Sequence, residues 1–288
     1  VSHAARILAF ILLAAVLSAC TPPRDASPGT DALFTAAASR AFQSPALATL
    51  ILLDPRSGQT RVMNPDRASQ RFPPASSFKI PNAVIGLETG AIPEADHVIK
   101  WDGTQHEREV ANQNHSLRSA MAYSVLWYFQ TLAQRVGEDR MQSFLTAFDY
   151  GNADISSGLT RFWLRGSLRI SAREQTAFLR KLHTGTLPVT PRTTAIVKDI
   201  LTLAQGPGWT YYGKTGTYSG TVDGIHADLG WFVGWIERDG NALIFAANNG
   251  TKGVSGPDVR AMVEQTLVEL GELPVDWERH QREVPLPF

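Results

Sequence analysis

Ser76 and Lys79 stand three residues apart in the stretch Pro74-Ala75-Ser76-Ser77-Phe78-Lys79, a spacing that brings a hydroxyl and an amine to one face of a helix. A serine hydroxyl is a poor nucleophile until a neighbouring base takes its proton, so an amine one turn away has a direct chemical use. If a helix starts here, the unpaired backbone N–H of Ser76 also faces a developing oxyanion. Pro81 strips a hydrogen-bond donor from the next turn, which a purely structural helix does not favour. The chain has six lysines and nineteen serines, so such a pair arises by chance in about one chain in two or three, and a solvated helix lysine reads the same way. Far downstream, Lys214-Thr215-Gly216 closes a predicted strand; the lysine offers a fixed cation and the glycine lets a substrate backbone approach closely. Chance supplies that triplet in roughly a few chains per hundred. The two motifs together point to a serine nucleophile with a lysine beside it and a second cation at hand.

Two separated groups of strands must hold these residues in place. Residues 46–54 form a short apolar run, Pro55-Arg56-Ser57-Gly58 turns the chain, and residues 60–64 alternate, which predicts a hairpin. Residues 210–214, 229–237 and 242–247 read as three further strands, the last two joined by the turn Arg238-Asp239-Gly240-Asn241. Helical patterns cover residues 77–87, 117–136, 139–148, 171–183 and 193–203, and a last helix over 257–270 carries Val259, Met262, Val263, Leu267 and Leu270 on one stripe. Strands at both ends with helices between them predict an α+β domain, a mainly antiparallel sheet flanked by helices with an inserted helical lobe. Catalytic residues then belong in the cleft between lobe and sheet.

Composition narrows the function classes. The 288 residues are 43% hydrophobic and 19% charged, which suits one large globular domain. Lysine plus arginine equals aspartate plus glutamate at 27 each, so no strong field recruits nucleic acid, and the expected partner is a small molecule. The only cysteine is Cys20, which excludes an internal disulfide and thiolate-rich metal centres. The seven histidines form no helical pair, and no metal is expected. His3 and Arg6 precede an apolar run too short to span a membrane, so residues 1–19 read as an export signal. The run closes with Leu17-Ser18-Ala19-Cys20, which resembles a bacterial lipobox and gives Cys20 the task of carrying a lipid anchor. Residues 20–30 then form a polar tether and residues 31–288 the catalytic domain of an exported, periplasmic, membrane-anchored protein.

Serine β-lactamases and penicillin-binding proteins set S-D-N between S-x-x-K and K-T-G. That middle motif is absent. Tyr123-Ser124-Val125-Leu126 stands in its place on the predicted long helix, followed by Tyr150-Gly151-Asn152 and by Phe162-Trp163-Leu164-Arg165-Gly166-Ser167-Leu168-Arg169-Ile170-Ser171. With Lys100-Trp101-Asp102-Gly103 and Trp231-Phe232-Val233-Gly234-Trp235, these segments make a chain that resembles the class D (oxacillinase-type) serine β-lactamases from about Ala46 to about Arg260. The resemblance implies the serine β-lactamase and penicillin-binding transpeptidase fold, and hydrolysis of β-lactam antibiotics through an acyl-enzyme on Ser76.

The same resemblance assigns roles within the site. Lys79, carboxylated on its amine by carbon dioxide or bicarbonate, is implied as general base for acylation and deacylation, with Trp163 donating its indole N–H to the carbamate. No bound cofactor is implied. Ser124 relays a proton towards the lactam nitrogen, Lys214 polarises that relay, and Thr215, Gly216, Thr217, Arg260 and Leu126 line the substrate site, the arginine suited to a carboxylate by its planar fork. The backbone N–H groups of Ser76 and Thr217 form the oxyanion hole, while Tyr150, Gly151 and Asn152 shape the cleft wall. Phe78, Val125, Leu126 and Trp163 are the expected apolar walls around Lys79. Leu126 is a departure, since the family more often has valine there. Substrate range is assigned to residues 218–228, read as a loop. The same serine and lysine also serve β-lactam sensors and transpeptidases, which hold the acyl-enzyme instead of hydrolysing it.

Overall fold

The computed structural model describes residues 28–222 and 225–287. The expected export signal over residues 1–19 and Cys20 lie outside the described residues. Helix α1 (Pro28–Ala41) begins inside the segment expected to be tether and ahead of the expected domain start at residue 31. Pro28 fits that boundary, because the first helical position needs no N–H and proline presets its φ.

Six strands make one antiparallel sheet: β1 (Ala48–Leu53), β2 (Thr60–Met63), β5 (Thr202–Gly206), β6 (Trp209–Val222), β7 (Ile225–Arg238) and β8 (Asn241–Asn249), in the order β2-β1-β8-β7-β6-β5. A separate two-stranded ribbon pairs β3 (Val98–Ile99) with β4 (His115–Ser116). Side chains alternate across a strand, and both faces of this sheet are apolar. On β7, Trp231, Val233 and Trp235 enter one core while Phe232 and Ile236 enter the other. On β8, Ile244 and Ala246 face the first core, and Leu243, Phe245 and Ala247 face the second.

The first core lies under the helical lobe, built from α2 (Pro65–Ser69), α3 (Lys79–Glu88), α4 (Leu117–Ala122), α5 (Leu126–Val136), α6 (Glu138–Phe148), α7 (Ala172–Thr184) and α8 (Pro191–Leu201). The second lies under α1 and α9 (Gly256–Glu269). Val259, Val263 and Leu267, one turn apart on α9, are fully buried, each contributing on the order of 1.5–3 kcal/mol of apolar burial. The expected α+β architecture, with strands from both ends of the chain and a helical lobe between them, is the one found.

Three elements differ from expectation. The helix expected over 193–203 ends at Leu201, and the chain turns at once into β5, an edge strand whose hairpin to β6 uses Pro207 and Gly208. Lys214-Thr215-Gly216 does not close a strand; it sits in the middle of β6, which continues to Val222. Residues 218–228 are therefore mostly a β6–β7 hairpin rather than a loop, paired in register from Tyr218↔Leu229 to Val222↔Ile225.

Candidate active site

The helix expected over residues 117–136 is two helices, broken at Tyr123-Ser124-Val125. The break is a Schellman closure: Val125 N donates to Ala120 O at 2.9 Å and Ser124 N to Met121 O at 3.3 Å. Ser124 occupies the left-handed position with φ 55°, where glycine is the usual residue. The distortion turns both the Ser124 hydroxyl and its carbonyl towards Lys79, whose Nζ donates to Ser124 Oγ at 2.8 Å and to Ser124 O at 3.0 Å.

Ser76 lies in a 3-10 turn, Ala75–Phe78, that feeds directly into α3. Pro81 falls among the first helical positions of α3, where backbone N–H groups have no intrahelical acceptor, so its missing donor costs nothing there. Ala75 ahead of the serine has φ 48°, a second left-handed residue beside the chemistry. The turn is held from three sides. Ala75 N donates to Trp163 O at 3.0 Å, and Trp231 Nε1 donates to Pro73 O at 2.9 Å. Ser77 Oγ donates to Pro74 O at 2.7 Å and accepts from Gln175 Nε2 at 2.8 Å, with the Tyr150 hydroxyl 3.4 Å from Gln175 Oε1.

These supports set a four-group cluster. Lys79 Nζ donates to Ser76 Oγ at 2.8 Å, and Lys214 Nζ donates to Ser124 Oγ at 3.0 Å and to Thr215 O at 3.1 Å. Lys214 reaches the cluster from the lobe-facing side of β6, the side of its cross-strand partner Val233, and β5 pairs with β6 only over Trp209–Tyr212, which leaves the outer edge of β6 open from Gly213 onward among the described residues. Gly216 is packed against the nucleophile's turn: a Cβ there would sit 3.0 Å from Pro74 O and 3.3 Å from Ser76 N. On its other side a Cβ at Gly256 would lie 2.7 Å from Gly216 O, and Gly256 N donates to Thr217 Oγ1 at 2.9 Å. Two glycines thus let β6 pass between the serine turn and the start of α9.

Burial governs the charges. Lys79 is 1% exposed, and its described polar partners are hydroxyl and carbonyl oxygens. Loss of hydration, then the positive charges of Lys214 and Arg108, hold its pKa well below the ordinary lysine value. Trp163 is fully buried and stacks on Phe78 with ring centroids 5.2 Å apart, yet its Nε1 has no hydrogen-bond partner among the described residues. A buried indole N–H without an acceptor is costly, so this donor marks a place for an added acceptor. Lys214 is pushed down to about 7, first by burial and then by Arg108 and Arg260.

The Lys214 shift has a measurable consequence. With its pKa near 7 in the fold and 10.5 when free, the unfolded chain binds more protons between those values, so stability rises with pH across that window. This one group contributes about 1.4 kcal/mol per pH unit. Denaturant unfolding between pH 8 and 9 is expected to show a rise of at least that slope, since the likewise lowered Lys79 acts in the same sense, and Lys214→Met to make it shallower by about that amount. An identical slope in the variant would mean that Lys214 keeps its proton. Above this range the buried Tyr128 and Tyr150, whose pKa values burial raises, act in the opposite sense.

Arg260 on α9 lines a cleft of about 700 Å³ together with Lys214 and Thr215. Its Nε donates to Glu264 Oε1 at 2.6 Å, and its guanidinium lies over the Phe232 and Trp277 rings at 5.9 and 5.6 Å. Ser76 is not among the residues that line this cleft, and it meets the site through Lys79, Ser124 and Lys214. Val125 is buried, and Leu126 is 40% exposed at the start of α5, directly after the helix break that carries Ser124. The Tyr150-Gly151-Asn152 segment clamps the loop that carries Trp163: Asn152 Oδ1 accepts from Arg169 N at 2.8 Å, and a Cβ at Gly151 would meet Arg169 O at 2.1 Å. Sequence reasoning missed Arg108, Gly256 and the Gln175–Ser77 support. The first lies on an exposed segment with no spacing signal, and the others act through tertiary packing.

Comparison with known proteins gives one answer. Residues 48–267 match the penicillin-binding protein transpeptidase domain. A probable β-lactamase of Bacillus subtilis, YbxI, is 44% identical over 207 residues, covering 71% of this chain and 76% of that protein. The structure of the class D β-lactamase BAT-2 superposes with a TM-score of 0.75 at 37% identity, covering 82% of this chain and 96% of that one. The C-terminal domain of the Bacillus licheniformis BlaR penicillin receptor superposes with a TM-score of 0.76 at 32% identity, over 82% and 96% of the two chains. With a serine and two lysines joined by hydrogen bonds in the cleft of this fold, the chain belongs to the class D β-lactamases, serine hydrolases of β-lactams.

Proposed function

We propose that Ser76 is the nucleophile and Lys79 the general base of both half-reactions, and that Lys79 works as an N6-carboxylysine. The observation that carries this reading is the continuous set of contacts Ser76–Lys79–Ser124–Lys214, all within 3.0 Å. Ser76 Oγ attacks the lactam carbonyl carbon as its proton passes to the Lys79 side chain. The lactam C–N bond breaks, and the nitrogen takes a proton from Ser124 Oγ, replaced through its hydrogen bonds to the two lysines. Water then attacks the ester, its proton again leaving through Lys79, and Ser76 recovers its own. The backbone N–H groups of Ser76 and Thr217 stabilise the oxyanion, each donor worth about 3 kcal/mol. Lys214, Thr215 and Arg260 hold the substrate carboxylate.

Carbon dioxide fits at Lys79. Burial holds the Lys79 pKa well below the ordinary lysine value, which favours the nucleophilic free amine, and the buried Trp163 Nε1, without a partner among the described residues, offers a donor. Carboxylation supplies an anionic oxygen base that needs no prior deprotonation of an ammonium.

Incubation with benzylpenicillin followed by rapid quench and mass spectrometry is expected to give one transient adduct, on the peptide containing Ser76. An adduct on Ser77 or Ser124 would reject the assignment. A Ser76 adduct that persists without turnover would favour the receptor-like reading that the BlaR likeness keeps open.

We further propose, from sequence, that the protein is exported to the periplasm and anchored through a lipid on Cys20. Cys20→Ser is expected to move it from the membrane fraction to the soluble fraction with hydrolysis intact; unchanged membrane association would leave Cys20 without that role.

A further inference from the structure

The transpeptidase-domain match ends at residue 267, and the chain beyond it returns to the catalytic cleft. After a 3-10 turn, Trp277–His280, Gln281 forms an antiparallel bridge with Ala204 of β5. Arg282 N donates to Leu203 O at 2.8 Å, and its guanidinium donates to Asp199 O and Oδ1 at 2.6 and 2.8 Å. Two residues on, Val284 O accepts from the Tyr123 hydroxyl at 2.7 Å. The segment is therefore tied at one end to the outer edge of the sheet and at the other to the α4–α5 break that carries Ser124. At and around the second anchor, Glu283, Val284 and Pro285 line the same cleft as Lys214, Thr215 and Arg260.

We propose that residues 281–285 are a strap that forms one wall of the substrate site and limits the group a β-lactam carries beside its carboxylate. The inference rests on the reading that Lys214, Thr215 and Arg260 hold that carboxylate. Ser76 lies against Gly216, and the strap meets the cleft at the opposite side of Lys214, beside Leu203 and Gly213. A substrate whose carbonyl is at Ser76 and whose carboxylate is at Lys214 then points the ring carbon next to the carboxylate at the strap. In penicillins that carbon bears two methyl groups. In cephalosporins it is C3, which carries a substituent of any size. Apart from Arg282 and Tyr123, the anchors are main-chain contacts, so the wall is set by backbone position and fixed rather than adaptable.

The test compares kcat/KM for benzylpenicillin with that for nitrocefin, a cephalosporin bearing a dinitrostyryl group at C3. The combined variant Glu283→Gly, Val284→Gly, Pro285→Gly loosens the wall without touching the hydrogen-bonded cluster. It is expected to raise the nitrocefin-to-penicillin ratio by about fivefold or more, through a lower nitrocefin KM, with penicillin turnover within about twofold of the parent. Arg282→Ala, which frees one anchor and leaves the wall residues in place, is expected to move the ratio the same way by less and guards against misfolding of the combined variant. Arg260→Ala reports on the carboxylate reading separately, because it is expected to raise KM for both substrates alike. An unchanged ratio in the strap variants overturns the strap, and an unchanged KM in Arg260→Ala overturns its premise.

Discussion

Lys79→Ala is expected to lower steady-state hydrolysis of benzylpenicillin by about 10²- to 10⁴-fold, the range a positioned general base contributes. Both half-reactions lose the group that receives a proton, from Ser76 in the first and from water in the second. Acylation retains help from the strained lactam ring, so deacylation suffers more and the Ser76 ester accumulates. Mass spectrometry should therefore find a long-lived adduct where the parent shows a transient one. The loss is chemical and not a collapse of the fold, because no described carboxylate pairs with Lys79 and its removal strands no buried acid. Turnover of the variant at the parent rate would mean that another group takes the Ser76 proton, and Lys214 is the only other lysine in the cluster described here.

Trp163→Phe is expected to give the second largest effect, through the modification and not through substrate. The indole N–H is a buried donor without a partner among the described residues, on a ring stacked against Phe78, the residue before Lys79, and phenylalanine keeps a ring there while deleting that donor. A hydrogen bond to a charged acceptor contributes about 1.5–3 kcal/mol, so carbon dioxide affinity should fall by roughly 10- to 100-fold. Activity at low bicarbonate should fall with it and recover as bicarbonate is raised. The recovery separates this role from simple packing, since a cavity left by the smaller ring would not respond to bicarbonate. Equal activity of parent and variant at low, non-saturating bicarbonate would assign Trp163 to the core alone.

Much of this molecule was legible in its residues. The sheet strands announced themselves because both faces are covered and their apolar residues run densely between clear turns. The chemistry was legible because S-x-x-K and K-T-G fix residue types at short spacing. What escaped depends on contacts distant in sequence. An apolar helical period runs unbroken through residues 117–136, and only the Schellman closure, with Ser124 bonded to Lys79 from another helix, breaks it. β5 has too few residues for alternation to show, and the preceding Val197, Ile200 and Leu201 extend a helical pattern into it. The strap carries no motif, being held by main-chain atoms and one arginine.

The central claim is that Lys79 carries a carbamate in the working enzyme, and carbon-13 NMR of protein equilibrated with labelled bicarbonate tests it most directly. The account predicts a carbamate signal that disappears in Lys79→Ala, weakens in Trp163→Phe, and fades in step with activity as mild acid and degassing remove carbon dioxide. No carbamate signal in an enzyme that hydrolyses benzylpenicillin at full rate without bicarbonate would contradict it, and Lys79 would then act as a free amine.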